Sequence, residues 1–446
     1  MTVTVVGGGL AGPEAAWGLA ERGHAVQLVE MRPGASTPAH RTGLLGELVC
    51  SNSFKSEDPA NAHGELKREM EALGSLFLAC AERARVPAGS ALAVDRELFA
   101  HVLTGAVEEH PRIERVRGEQ RALPEGPAIV ATGPLTSDAL SAAIRSRLGD
   151  EGLAFFDALA PIVSRESLDE SIVFAAGRYG ESDDYLNCPM DRDEYERFID
   201  ALLEADVYAG HDWENVPYFE GCLPIEVMAS RGRETLRFGP MKPIGLTDPR
   251  TGSRPHAVVQ LRREDREGRM WNMVGFQTRL RHGEQDRVFR LIPGLAEAEF
   301  LRRGGIHRNS YLNFPGCLTP WGSPPDRPDL VFAGQLTGVE GYVESAASGL
   351  LAAVTMDRVL RGLDPVLPPG TTMLGALMRY LREAEPGRFQ PMNSNWGLVD
   401  ALPERIRDRR EKRRRLSERA LEDLHAWMEA HGVEGIETRA PAATSP

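Results

Sequence analysis

Thr2-Val-Thr-Val-Val6 is a short β-branched run, and Gly7-Gly-Gly-Leu-Ala-Gly12 follows it without a spacer. Pro13-Glu-Ala-Ala-Trp-Gly-Leu-Ala-Glu-Arg22 then reads as a helix, and His24-Ala-Val-Gln-Leu-Val-Glu30 as a second strand. Strand, glycine turn, helix and strand in this order, with an acid at the end, are the parts of a dinucleotide-binding βαβ unit. Gly7 permits the tight turn, Gly9 lets the backbone approach a pyrophosphate, and Gly12 lets the helix pack closely on the strand. The helix N-terminus supplies N–H groups and the positive end of a dipole. Pro13 is tolerated in the first turn, where its missing N–H would be unpaired anyway. Glu30 lies where an acid accepts hydrogen bonds from a ribose hydroxyl.

Working outward, Ala128-Ile-Val-Ala-Thr-Gly133 and Leu330-Val-Phe-Ala-Gly334 read as buried strands that end in glycine turns. The second leads into Gly338-Val-Glu-Gly341-Tyr-Val-Glu344-Ser-Ala-Ala-Ser-Gly, a glycine turn opening a helix of small residues. From about residue 164 to 315 turn residues are denser and charges alternate. That block is too long for a structureless loop and should carry its own elements. The expected fold class is α/β, a Rossmann-type FAD-binding domain with an inserted α+β domain. Its parts are 1–163, the insertion 164–315, and a return over 316–446 that ends in a helix and tail. Further helices are expected at 63–83, 95–109, 191–204 and 403–431, and strands at 171–176, 257–261 and 270–276. Only one Gly-x-Gly-x-x-Gly stands in a strand–helix context, which favours a single tightly held FAD over a two-nucleotide reductase.

The chain has 446 residues and a formal net charge of −13, which argues against nucleic-acid binding through bulk charge. Local charge differs: Arg405-Ile-Arg-Asp-Arg-Arg-Glu-Lys-Arg-Arg-Arg415 is strongly basic, and Arg231, Arg233, Arg237, Lys242, Arg262 and Arg263 are further candidates for phosphate contacts. Five widely spaced cysteines with no Cys-x-x-Cys pair disfavour a disulfide framework or a zinc site. No metal ligand set is expected. The absence of a signal-peptide pattern and of a long apolar run points to a cytoplasmic protein without a membrane segment.

The cysteines are the candidates for the chemistry. A thiolate is a strong nucleophile when a cation or helix N-terminus stabilises it. Cys50 sits among Ser51, Asn52, Ser53 and Lys55, and Cys222 among glycine and nearby arginines; Cys80, Cys188 and Cys317 lack such a context.

Seven stretches carry a family likeness. They are Val6–Trp17, Glu30-Met-Arg-Pro33, Glu47-Leu-Val-Cys-Ser-Asn-Ser53, Tyr185-Leu-Asn-Cys-Pro-Met190, Phe219-Glu-Gly-Cys-Leu-Pro224, Phe332–Gly349 and Phe389-Gln-Pro-Met-Asn-Ser-Asn-Trp-Gly397. In these the chain resembles the folate- and FAD-dependent tRNA (uracil-5-)-methyltransferases of the TrmFO type. The resemblance implies formation of 5-methyluridine at T-loop position 54 of tRNA. The carbon would come from 5,10-methylenetetrahydrofolate, with NAD(P)H as reductant. Cys222 is the expected nucleophile toward uracil C6 and Cys50 the acid/base thiol, and the two roles are exchangeable. Cofactor contacts are expected from Gly7, Gly8, Gly9, Leu10, Ala11, Gly12, Glu30, Met31 and Arg32. Others are expected from Thr132, Gly133, Gly334, Gln335, Gly341, Tyr342, Val343 and Glu344. The partner is the tRNA T-arm; no obligate protein partner is expected. A flavin oxidoreductase of a small metabolite and a non-catalytic FAD-containing tRNA-binding protein are the alternatives.

Overall fold

The computed structural model describes residues 2–37, 39–149, 152–180, 182–208, 223–265, 268–384, 389 and 391–438, with backbone alone for 152–159 and 306–310. Five parallel strands form the central sheet, in the order Leu330–Phe332, Ala128–Val130, Thr2–Val6, Ala25–Glu30 and Ile113–Arg117. Parallel strands covered on both faces read as unbroken apolar runs, and Val3, Val5, Leu28, Ile129 and Val130 are fully buried. The opening strand has Ala25–Glu30 on one side and Ala128–Val130 on the other, so the sheet reverses its order there. Ligands of open α/β sheets bind at that switch point, beyond the carboxyl ends of the strands.

Two helices converge on the switch point. Ala11–Glu21 begins directly after the glycine turn, and Tyr342–Leu360 returns along it. Their approach is set by side-chain size. A Cβ on Gly349 would lie far inside van der Waals contact of the Ala11 carbonyl oxygen, and one on Gly18 would lie 2.9 Å from the Ala353 methyl.

A second, six-stranded antiparallel sheet is built from Phe174–Ala175, Tyr185–Met190, Ala257–Arg263, Met270–Met273, Ile162–Ser164 and Phe300–Arg302, in that order. Helix Arg192–Glu204 covers it with Tyr195, Phe198, Ile199 and Leu202. A reciprocal capping box starts that helix: Glu194 N–H donates to Asp191 Oδ1 at 2.8 Å, and Asp191 N–H to Glu194 Oε2 at 2.7 Å. Strands Gly152–Leu159 and Gly305–Leu312 pair antiparallel as the ribbon that leads into and out of this sheet.

Several elements differ from the sequence expectation. The helix expected over 63–83 is two, Ala62–Leu73 and Leu76–Arg83. Gly74 ends the first in a left-handed conformation (φ 84°), and Ser75 caps the second by accepting from Leu78 N–H. Apolar periodicity runs through the break because both helices bury apolar residues in the same core. The last helix spans Arg409–His431 rather than starting at 403, since the Asp408 side chain caps it by accepting from Glu411 N–H at 2.7 Å. The strand expected over 171–176 is only Phe174–Ala175, and the one over 270–276 ends at Met273.

Candidate active site

The glycine turn works by steric exclusion. Gly7 has φ 112°, and a Cβ there would sit 2.5 Å from the Ala131 carbonyl oxygen. A Cβ on Gly12 would collide with the Gly7 carbonyl, whereas one on Gly9 would meet nothing within 4 Å. Gly9 therefore faces open space, as a backbone meant for close approach by a ligand requires. Gly7, Gly8, Glu30, Met31, Arg32 and Thr132 line one hollow beside the turn. Glu30 accepts from Gly8 N–H at 2.6 Å and from Arg32 N–H and Nε at 2.9 Å each. Burial alone would raise the Glu30 pKa; the Arg32 guanidinium more than offsets it and holds the carboxyl below its ordinary value. Leu10 and Ala11 begin the helix above the turn, and Gly133 (φ 68°) opens a 3₁₀ turn after Thr132.

The late glycines form the other half of the cradle. Gly334 N–H donates to Ser348 Oγ at 3.0 Å, and Gln335 lies in the 3₁₀ turn that follows. Gly341 has φ 124° and immediately precedes helix Tyr342–Leu360. Val343 and Glu344 are buried in its first turn. The Met392 segment lies against this turn: Glu340 N–H donates to Met392 O at 2.8 Å, and Met392 N–H to Gly338 O at 2.9 Å. Ser394 follows, and its hydroxyl donates to Glu344 Oε1 at 2.7 Å. His63 Nδ1 lies 3.2 Å and Lys55 Nζ 3.9 Å from the same oxygen. Burial would raise the Glu344 pKa, but Lys55, His63 and Ser394 together hold it down at about 2. Its other oxygen, Oε2, is buried without a hydrogen-bond partner. An orphaned buried carboxylate oxygen at a helix N-terminus beside a glycine turn is fitted to a ligand donor. Asn395, by contrast, spends its side chain on its own turn, donating to Asn393 O and accepting from Gly397 N–H, each at 3.0 Å.

The segment Arg41–Ser53 joins the two halves. Gly46 N–H donates to Gly8 O at 2.9 Å at one end. At the other, Cys50 N–H donates to the Tyr342 hydroxyl at 2.8 Å, and the Cys50 thiol lies 2.9 Å from the same oxygen. Three arginines grip this loop. Arg96 Nη1 donates to Leu48 O at 2.7 Å and pairs with Glu264. Arg262 donates to Asn52 Oδ1 and Ser51 Oγ, both at 2.9 Å. Arg302 donates to Val49 O at 3.3 Å and Ala160 O at 3.1 Å, and its Nε is buried without a partner. Burial pushes the Arg302 pKa down to about 10. Asn52 Nδ2 returns a bond to Arg263 O at 2.6 Å. The Cys50 loop is thus fastened to the six-stranded sheet as well as to the cofactor half.

Beside it opens a cavity of about 650 Å³, lined by Leu48, Val49, Arg96, Phe300 and Arg302 among others. Cys80 and Cys188 are buried away from this site, and burial pushes their thiol pKa values up, that of Cys188 to about 12. Cys222 lies outside the described residues. Among the described residues there is no group of three or more His, Cys, Asp or Glu placed to hold a metal ion, and no helix is long and apolar enough to cross a membrane.

The structure removes one member of the expected phosphate-binding set and places two others in surface ion pairs. Arg262 is 7% exposed and committed to Asn52 and Ser51. Arg233 is paired with Glu196 and Asp200, and Arg237 with Glu234. The grip on the Cys50 loop escapes a sequence reading because Arg96, Arg262 and Arg302 lie roughly 45 to 250 residues from their partners and belong to no motif. The one signal available is Asn52, a polar residue inside an otherwise reactive Cys-Ser-Asn-Ser stretch.

A switch-point glycine turn, a ribose-type acid and a second glycine turn opening a helix define a dinucleotide-binding protein of the Rossmann-type α/β class. Residues 2–364 match the profile of the family described as glucose inhibited division protein A. The chain is 55% identical over 429 residues to the protein of Geobacter sulfurreducens named methylenetetrahydrofolate--tRNA-(uracil-5-)-methyltransferase TrmFO, covering 96% of this chain and 98% of that one. It is 56% identical over 428 residues to the protein of the same name from Rubrobacter xylanophilus, covering 94% and 95%. Its fold is similar to that of Aquifex aeolicus GidA in the form II crystal, with a TM-score of 0.68 at 17% identity over 97% of this chain and 74% of that one. This chain belongs to the glucose inhibited division protein A family, in its TrmFO branch.

Proposed function

We propose that the protein is a methylenetetrahydrofolate- and FAD-dependent tRNA methyltransferase that forms 5-methyluridine at T-loop position 54, with NAD(P)H as reductant. The names of the Geobacter and Rubrobacter relatives support the reaction. The observation that carries it is the meeting of Cys50 with Tyr342 at the helix N-terminus that closes the cofactor cradle. Bound FAD supplies the reducing equivalents that turn a folate methylene into a methyl group.

The chain's own residues divide the remaining work. The glycines at 7, 9 and 12 and the carboxylate of Glu30 hold the adenosine and pyrophosphate end. Gly341, Tyr342 and Glu344 would hold the ring end, and the partnerless Glu344 oxygen would be free to accept an N–H from the bound group. Cys222 adds to C6 of the uracil and so makes C5 nucleophilic. Cys50, gripped by Tyr342 and the arginine-held loop, takes the C5 proton. The arginine-rimmed cavity beside Val49 suits an apolar heterocycle that carries carboxylates. The target base is drawn out of its RNA stack to reach this pocket. The reaction with tRNA is placed in the cytoplasm.

The test incubates the flavin-containing protein with unmodified tRNA, NAD(P)H and methylenetetrahydrofolate and then analyses the nucleosides. Formation of 5-methyluridine supports the reading; its absence from a fully reduced reaction defeats it.

A further inference from the structure

We infer that the basic first turns of the last helix, with the segment leading into them, form the surface on which the phosphate backbone of the RNA docks. This inference rests on the tRNA reading above and specifies which face of the protein receives the substrate.

The position of the helix carries the inference. Helix Tyr342–Leu360 starts at the ring end of the cradle and runs away from it for about 27 Å, at 1.5 Å per residue. In its last turn, Arg358 donates to the carbonyl of His431, the final residue of helix Arg409–His431. Further back, Ser417 Oγ meets Glu65 and accepts from Arg68 Nη1 at 3.0 Å. Glu65 lies in the first turn of helix Ala62–Leu73, whose His63 touches Glu344. Farther along, Arg419 donates to Ala401 O at 2.9 Å, on the segment that descends from Ser394. The last helix therefore runs from the Glu344 end of the molecule to the far end. Its first residues stand at the level of the candidate active site. Arg409 lies eight residues, about 12 Å, before Ser417, whereas His63 lies only about 3 Å before Glu65. The first turns therefore extend past the level of His63.

Burial and charge point the same way. The helix is anchored by Leu416, Ala420, Leu424 and Trp427, and no residue from Arg409 to Arg415 is buried. Arg414 pairs with Glu411 and Glu418, and Arg415 with Glu404. Arg405, Arg407, Arg409, Arg410 and Lys412 are exposed and make no ion pair among the described residues. This arrangement opposes helix stability. Cations at a helix N-terminus face the positive end of the dipole. Like charges three and four residues apart repel one another. A polyanion lying across the turns relieves both effects. On a chain of net charge −13, such a concentrated patch also supplies the local attraction that bulk charge denies to RNA.

The test uses the full-length flavin-containing protein and a combined variant, Arg405→Glu, Arg407→Glu, Arg409→Glu and Arg410→Glu, with the corresponding glutamine variant beside it. Retained flavin absorbance and NAD(P)H oxidation show that the variants are folded. The expected result is a KM for tRNA raised at least tenfold, with kcat at saturating tRNA within twofold of wild type. The dependence of log KM on log salt should become shallower by about three in slope. An unchanged KM and salt slope in both variants would overturn the inference. Binding of an RNA hairpin of T-arm sequence separates this inference from the reaction itself. If the wild type forms no 5-methyluridine, the methyltransferase reading fails. Docking is then decided by whether the variant weakens hairpin binding at least tenfold or leaves it unchanged.

Discussion

The backbone N–H and the thiol of Cys50 converge on one atom, the hydroxyl oxygen of Tyr342, at 2.8 and 2.9 Å. The two residues are 292 positions apart, so the contact exists only when the Arg41–Ser53 loop closes over the helix N-terminus. Burial and the adjacent Cys50 drive the Tyr342 pKa well above its ordinary value, so the phenol stays protonated and its oxygen remains an acceptor with a proton of its own. Tyr342→Phe keeps the ring packed edge-on against Phe54 while deleting that oxygen. Each lost hydrogen bond is worth about 1 kcal/mol, more if a buried group is left unpaired. Methyl transfer in a single turnover should therefore slow about ten- to hundredfold, with flavin content unchanged. A variant as fast as wild type would show that Tyr342 does not position the thiol.

Arg262 tests whether the six-stranded sheet positions Cys50. Its guanidinium spans Asn52 Oδ1 and Ser51 Oγ with two donors in a fixed fork. Arg262→Lys keeps the charge but reaches only one of them. The expected outcome is a loss of about 1–2 kcal/mol in urea unfolding and a tenfold fall in kcat, with KM for tRNA little changed. A fall in stability without a fall in kcat would make the grip purely structural.

What was legible in the sequence was local. The turn Gly7–Gly12, the two strands around it and the helix after Gly341 are each encoded within about thirty residues, and β-branched runs, glycines and small-residue spacing report them directly. Ala128–Val130 and Leu330–Phe332 were legible as buried strands ending in glycine, but their order beside the first strand was not. Apolar periodicity failed where a single backbone conformation decides the outcome, as at Gly74, and at Asp408, where a side-chain cap fixes the start of a helix. The environment of Glu344 was least legible. Lys55, His63 and Ser394 come from three separate stretches, and nothing in any of them marks the shared oxygen.

Gly9 and Gly12 are equally glycine in sequence but differ in what surrounds them. A methyl group at Gly12 would collide with the Gly7 carbonyl, so Gly12→Ala must part helix from strand, at about 1–3 kcal/mol or more. A methyl group at Gly9 meets no protein atom within 4 Å. Gly9→Ala should leave the melting temperature of the flavin-free protein unchanged yet weaken FAD binding at least tenfold, because only the ligand comes close there. Gly12→Ala should lower both. Equal FAD affinity for Gly9→Ala and wild type would remove Gly9 from the cofactor site.

Glu65 makes the stability of the C-terminal helix depend on pH. It is fully buried between helices, its Oε2 accepts from Ser417 and its Oε1 has no partner. Burial raises its pKa from 4.5 to about 7, against the lowering effects of Ser417 and Arg68. A carboxyl that holds its proton more tightly when folded contributes stability in full below pH 4.5. That contribution is lost as pH rises from 4.5 through about 7, because the folded state there binds more protons than the unfolded one. At 1.36 kcal/mol per unit the change amounts to roughly 3 kcal/mol. Glu14, raised to about 7, and Glu69, raised to about 8, both by burial, add slopes of the same sign. Glu344, held at about 2, acts oppositely and matters only as pH falls below 4.5. Wild-type stability should therefore decline between pH 5 and pH 8. Glu65→Gln resembles the protonated acid and cannot ionise, so it should flatten about a third of that decline and exceed wild type in stability at pH 8. Urea unfolding at pH 5, 6.5 and 8 measures the difference. A glutamine variant whose stability runs parallel to wild type across this range would show that Glu65 does not change its protonation on folding.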